Sequence, residues 1–191
     1  MPSPPSQNKR LILSVLLKLL ILTGLLIFSV PFIASLFQAD SDEDDVLKHI
    51  SAHDISALEH GEIHKIKQLS FEVWVYYRTP EDIEQINSMQ HHFLRDPQSK
   101  LSQTPPDMLP EFRSLNKDYF VFIPYETQKQ CQVQPDLLPS GQNGFSEVCY
   151  RGFFDTAGRA LAAHGGHEQK NLPVPPYEWR DEKTLLLDRR L

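Results

Sequence analysis

The chain has 191 residues, 40% of them hydrophobic, and a formal charge of −6. That length fits one ordinary domain plus a smaller segment and excludes a pair of large domains. An acidic balance with no basic tract argues against nucleic acid and anionic lipid headgroups as partners.

The smaller segment is N-terminal. Leu19 to Phe37 is nineteen residues without a charge, and Leu11 to Leu17 extends it. About twenty helical residues at roughly 1.5 Å each cross a bilayer core, so residues 11–37 are expected to anchor the chain in lipid. Lys18 lies close enough to one end to snorkel. Lys9 and Arg10 precede the run, while Asp40, Asp42, Glu43, Asp44 and Asp45 follow it. Positive charge stays cytoplasmic, so residues 1–10 are expected inside and the C-terminal bulk outside. A cleaved signal peptide is the alternative, but the apolar run is too long for one and "FQAD" is a poor cleavage site. Three of the 19 basic residues (Lys9, Arg10, Lys18) lie before or within the run. The remainder therefore carries 16 basic against 25 acidic residues, a balance of −9.

Residues 38–53 form an acidic hinge or linker, and 54–191 a domain outside the cytoplasm. "FEVWVYY" after a Gly-containing turn predicts a strand, with a weaker strand candidate around Ile63 and Ile66. "TPEDIEQINSMQHHFLRD" predicts a helix over 79–96. Thr79 is its N-cap, Pro80 its first residue, and Glu81 and Asp82 face the positive end of the dipole. Ile83, Ile86, Met89 and Phe93 supply its apolar stripe. Residues 97–112 are Pro-rich and polar, a long loop. "DYFVFIPYE" predicts a buried strand. "PDLLPSGQNG" has turn composition, "FFDTAGRAL" predicts strand–turn–strand, the segment through "NLPVPPYEW" has polyproline flavour, and "KTLLLD" closes as a strand. Short strands, frequent turns and one inserted helix describe an all-β domain with a helical insertion.

The chain has two cysteines, Cys131 and Cys149, eighteen residues apart. Two cysteines cannot close a zinc site, and there is no Cys-x-x-Cys. Outside the cytoplasm two cysteines in a small domain pair, and such a loop is worth about 3 kcal/mol in the chain-entropy model. There is no Gly-rich phosphate loop, no G-x-S-x-G and no H-E-x-x-H, so no catalytic residue is assigned. His60 with His64, His91 with His92, and His164 with His167 each make at most half a metal site. All six are expected at exposed polar positions.

Several fragments together resemble the Rieske iron–sulfur subunit of quinol–cytochrome c reductases. "WVYYRTPEDI" is similar to the segment leading into that family's inserted helix, and "LRDPQ" to the segment after that helix. "FFDTAGR" resembles the family's HYDxSGR turn and "NLPVPPYEW" its closing segment. The resemblance runs from about Asp54 to Leu187 and implies a Rieske-like β domain behind one transmembrane helix, with the cluster-binding subdomain at about 124–170.

In that family two boxes, C-T-H-x-G-C and C-P-C-H-G-S, hold a 2Fe–2S cluster. The first Cys and the His of each are ligands, and the second Cys of each forms a disulfide. Matched through Asp155, "ETQKQC" lies over the first box and "EVCYRG" over the second. Cys131 and Cys149 then stand at the disulfide positions, while Glu126, Gln128, Glu147 and Tyr150 stand at the ligand positions. Arg151 and Gly152 replace the Gly-Ser that comes after the second His. Phe154 replaces a hydroxyl-bearing Tyr, and Gly166-His167-Glu168-Gln169 lies over the Gly-Pro-Ala-Pro loop that shields the cluster. The pair Lys9-Arg10 also departs from the twin-arginine signal common in the family.

The resemblance, with these departures, implies a domain that has lost its cluster and carries no cofactor and no metal. The four residues at the ligand positions are expected to be solvated polar replacements on loop tips, although their oxygens would also suit a hard cation. The implied role is a non-redox accessory subunit, not an enzyme in its own right. Its partners would be membrane-embedded cytochrome subunits of a quinol–cytochrome c reductase or its supercomplex. The setting would be the bacterial inner membrane, with the β domain in the periplasm. The alternatives are a redox-active Rieske-type subunit with non-standard ligands and a transient assembly factor.

Overall fold

A computed structural model describes residues 7–37, 49–68, 71–102, 104–165 and 169–188. It divides into two compact units, Met1–Lys48 and His49–Leu191. The first holds helix α1 (Gln7–Phe37). Within it, Leu11–Ile33 is 23 residues long and apolar enough to cross a membrane, and its leucines, isoleucines and phenylalanines are exposed. The Asp40–Asp45 run lies outside the described residues.

The second unit is built from three antiparallel three-stranded sheets. One pairs β1 (Ile50–Asp54), β9 (Thr184–Asp188) and β8 (Tyr177–Asp181). Another pairs β2 (Ile63–Lys67), β3 (Glu72–Tyr77) and β4 (Tyr119–Phe122). The last pairs β5 (Gln134–Leu137), β6 (Asn143–Glu147) and β7 (Gly152–Phe154). Strand β1 pairs residue by residue with β9, Ile50 opposite Asp188 through Asp54 opposite Thr184. The linker expected over 38–53 is therefore too long at its C-terminal end. No apolar alternation marks "ISAHD"; its partner strand holds it.

The "FEVWVYY" and "DYFVFIPYE" runs become β3 and β4, and all four residues of β4 are buried. Trp74, Phe120, Phe122 and Phe145 join Ile66, Val75, Leu172 and Leu185 in one core. Phe120 stacks on Phe122 and Tyr76 meets Phe145 edge to face; such ring pairs add about 0.5–1.5 kcal/mol beyond their burial.

Helix α2 is Pro80–Ser88, shorter than the expected 79–96, and a single 3-10 turn, His91–Phe93, comes after it. Thr79 caps it as predicted, in a capping box with Asp82. The buried face differs from the predicted stripe. Asp82 and Gln85 are buried alongside Ile86, while Phe93 is exposed. The Asp82 carboxylate accepts from the Thr79 N–H, the Tyr76 hydroxyl (2.7 Å) and Asn143 Nδ2 (3.1 Å). A carboxylate so supplied with donors can be buried. His91 and His92 lie in the 3-10 turn and are exposed, as expected.

Arginines fix the loops. Arg78, fully buried, donates to the carbonyls of Phe112, Lys117 and Thr156, at 2.7, 2.8 and 3.0 Å. Arg113 donates to the carbonyls of Ala157, Gly158 and Leu172. Burial lowers both guanidinium groups to about 10. Arg159 pairs with Asp155 at 2.6 Å, and Asp155 also accepts from the N–H groups of Ala157 and Arg159. The "FFDTAGR" turn is thus rigid, and it sets the exit of β7.

Candidate functional site: two carboxylate-filled loops under a disulfide

The loop 126–131 leaves β4 and returns towards β5, and the loop 147–152 joins β6 to β7. Glu147 and Gly152 face each other in the strand register, so four residues make the second turn. The loops are joined by the Cys131–Cys149 disulfide, with Cα atoms 6.4 Å apart. Both cysteines of the chain are consumed in it.

Two of the four ligand-position residues are not solvated. Glu126 is 1% exposed and Glu147 2%. Glu126 receives the N–H of Gln128 at 2.7 Å, that of Cys131 at 3.2 Å, and that of Lys129 in a shorter bond. Its own N–H donates to the Cys131 carbonyl, 2.9 Å. Glu147 Oε1 receives the N–H groups of Tyr150 (3.2 Å) and Gly152 (2.9 Å) and the amide of Gln169 (3.2 Å). Glu147 Oε2 receives the Tyr150 N–H at 2.9 Å. Each loop folds around its own carboxylate. The loop-tip expectation fails for these two because converging backbone donors offset the burial of an anion. Gln128 is exposed and Tyr150 half-buried, as expected of loop tips, with Lys129 Nζ 5.0 Å from the Tyr150 ring centre.

The backbone turns at two left-handed residues, Gln130 (φ 57°) and Arg151 (φ 56°). Both stand where the two boxes carry glycine, so the loops keep a glycine conformation without the glycine. Gln169 is 1% exposed and lies against Gly152 and Gly165, leaving no room for a Cβ at either. Sequence reasoning placed Gln169 only as part of a lid; its insertion between two glycines had no local signal. Gly166, His167 and Glu168 lie outside the described residues. Phe154 is fully buried beside Phe145 in the register.

Among the described residues the histidines form no metal-ligand group. His60 Nδ1 is 2.5 Å from the Arg78 carbonyl and its ring stacks on Tyr77, while His164 meets Phe153 edge to face. His64 is half-buried in β2, another departure from the exposed positions expected. Among the described residues one group of three possible metal ligands gathers, Cys131, Glu147 and Cys149. A 2Fe–2S centre of this kind takes two thiolates and two imidazoles. The four ligand-position residues are two hydrogen-bonded carboxylates, an amide and a phenol, a donor set that does not match it.

No family model matches the chain. The ubiquinol–cytochrome c reductase iron–sulfur subunit of Allochromatium vinosum is 30% identical over 141 residues, covering 70% of this chain and 67% of that protein. The corresponding subunit of Rhodospirillum rubrum is 27% identical over 143 residues, 70% of this chain and 68% of that one. Against the mitochondrial cytochrome b-c1 complex subunit Rieske-3 of Nicotiana tabacum, identity is 30% over 148 residues, 77% of this chain but half of that longer protein. A chain of a solved hyperthermophilic respiratory Complex III superposes over 90% of this chain and 98% of its own, at TM-score 0.43 and 14% identity. The Allochromatium vinosum relative, 30% identical and covered over two thirds of its length, decides the family: this chain belongs to the Rieske iron–sulfur subunits of ubiquinol–cytochrome c reductase.

Proposed function

We propose that this chain is a non-redox member of that family, a membrane-anchored accessory subunit that docks on a quinol–cytochrome c reductase or its supercomplex. One observation carries the reading. At the positions where the family's boxes place thiolate ligands, Glu126 and Glu147 are buried and already bonded to the N–H groups of their own loops. Loops closed in this way need no cluster to hold their shape. While the Cys131–Cys149 disulfide is intact, neither cysteine supplies a thiolate to iron.

The anchor is Leu11–Ile33, and the positive flank at Lys9 and Arg10 against the acids at 40–45 supports a cytoplasmic N-terminus and a periplasmic β domain. The relatives are named as subunits of a cytochrome complex, which supports membrane-embedded cytochrome subunits as partners. Without a cluster, this subunit passes no electron and takes no quinol proton.

The test is purification of the tagged chain from its own membranes in mild detergent. Stoichiometric b- and c-type cytochromes, with no iron or acid-labile sulfide assigned to this chain, support the reading. Iron and sulfide bound to the isolated subunit would replace it with a working electron carrier. Cytochromes recovered only in substoichiometric amounts would replace it with an assembly factor.

A further inference from the structure

The disulfide and a metal-binding site are built from the same atoms. The sulfurs of Cys131 and Cys149 and a carboxylate oxygen of Glu147 lie within 4.8 Å of one another. Cys149 is exposed and Cys131 half-buried, so a reductant reaches the bond from solvent. Neither carboxylate network runs through a sulfur. Glu126 holds the first loop and Glu147 the second by N–H contacts that remain when the covalent link opens.

The spacing also permits it. Disulfides span Cα separations of about 4.4–6.8 Å, and the 6.4 Å here is near the wide end. Two thiolates at about 2.3 Å from one ion need their sulfurs further apart than a covalent bond allows. Side-chain rotation at this Cα distance supplies that opening without moving the backbone. Among the described residues, Glu147 Oε2 accepts only the Tyr150 N–H, whereas Oε1 takes three donors. Oε2 therefore keeps a lone pair for an ion.

We propose that, once reduced, the chain binds one divalent ion of the zinc class through the thiolates of Cys131 and Cys149 and Oε2 of Glu147. Two sulfurs and one carboxylate suit a borderline-soft cation and leave a fourth position for water, which the exposed Val148 and Cys149 leave open to solvent. A dithiol reductant gives two electrons and two protons to the S–S bond and becomes a disulfide itself. The ion then displaces both thiol protons, which pass to solvent. This site is independent of the docking role, and its three ligands do not make up a 2Fe–2S set.

The experiment uses the full chain in detergent, reduced anaerobically with a phosphine, desalted and titrated with Co2+. The expected result is a thiolate-to-cobalt charge-transfer band that saturates at one equivalent and is removed by Zn2+. The oxidised chain should give no band. Glu147→Gln should weaken Co2+ binding by at least about tenfold, and Zn2+ should slow alkylation of both parental cysteines by a similar factor. A reduced parent with no band overturns the proposal, as does a folded Glu147→Gln that binds as tightly as the parent. Should that variant not fold, alkylation of the parent decides, and equal rates with and without Zn2+ overturn it. None of these readouts depends on which proteins co-purify.

Discussion

Removing the Glu147 carboxylate tests the idea that the loops are held by anions of the chain's own making. Glu147→Ala strips the acceptor from the Tyr150 N–H, the Gly152 N–H and the Gln169 amide. Gly152 and Gln169 are buried, so water does not replace the lost partner there. A hydrogen bond to a charged group is worth about 1.5–3 kcal/mol, and a stranded buried donor costs about 1–3 kcal/mol. The desolvation of a buried carboxylate is recovered in the same change, which leaves a net loss of about 2–4 kcal/mol by these figures. Glu126→Ala should cost less, about 1–2 kcal/mol, because Gln128 and Lys129 are exposed and their N–H groups can turn to water. For a domain of this size each kcal/mol moves the Tm by about 2–4 °C. The assay is thermal melting of the full chain in detergent, monitored by near-UV circular dichroism, with a thiol assay confirming the intact disulfide. A Glu147→Ala variant melting with the parent, or losing less than Glu126→Ala, would refute the reasoning.

Three further outcomes are expected. Gln130→Gly and Arg151→Gly should each raise stability by about 0.5–1 kcal/mol, since both residues hold a left-handed φ that a side chain disfavours; denaturant midpoints that fall instead would contradict this. Cys131→Ser should lower stability by about 3 kcal/mol without altering any redox signal, and unchanged melting would remove the disulfide's role. Burial pushes the Tyr177 phenol up to about 12 from its ordinary value of 10.0. Its contribution is therefore full below pH 10 and disappears as pH rises towards 12. Buried Arg113, lowered to about 10, acts in the opposite sense but cancels when parent and Tyr177→Phe are compared, whereas Arg78, lowered likewise, interacts with the Tyr177 phenol and stays part of the difference. That difference should shift by about 2–3 kcal/mol in favour of Tyr177→Phe between pH 9 and 12, and a constant difference in alkaline unfolding curves would count against it.

The parts of the fold that obey local rules were legible in the residues. Thr79, Pro80 and Asp82 announce a helix start, and the aromatic runs of β3 and β4 announce core strands. Burial of charge was not legible. Glu126, Glu147, Asp82, Arg78 and Arg113 look like surface residues by type, yet each lies within a ring of backbone or side-chain partners drawn from distant or irregular segments. Arg113, for example, is held by carbonyls from 157, 158 and 172, and no window of sequence contains both ends of those bonds. Strand β1 was missed for a related reason, its pairing with β9 spanning the whole domain. The loop carboxylates did leave one signal: glutamate stands at the first position of both boxes.

That coincidence has a physical sense. The family's thiolate positions carry negative charge and its imidazole positions are neutral. Here the thiolate positions hold Glu126 and Glu147, and the imidazole positions hold Gln128 and Tyr150, so anion replaces anion and neutral replaces neutral. The buried pair is the anionic one and the outward pair the neutral one. A loop whose N–H groups converge on one point needs an acceptor there, and a carboxylate meets that need from within the chain. Gln130 and Arg151 hold the backbone left-handed against their own side chains, which is the cost of keeping those N–H groups aimed inward. The geometry of the two loops is thus the geometry of an anion site, and glutamate fills it.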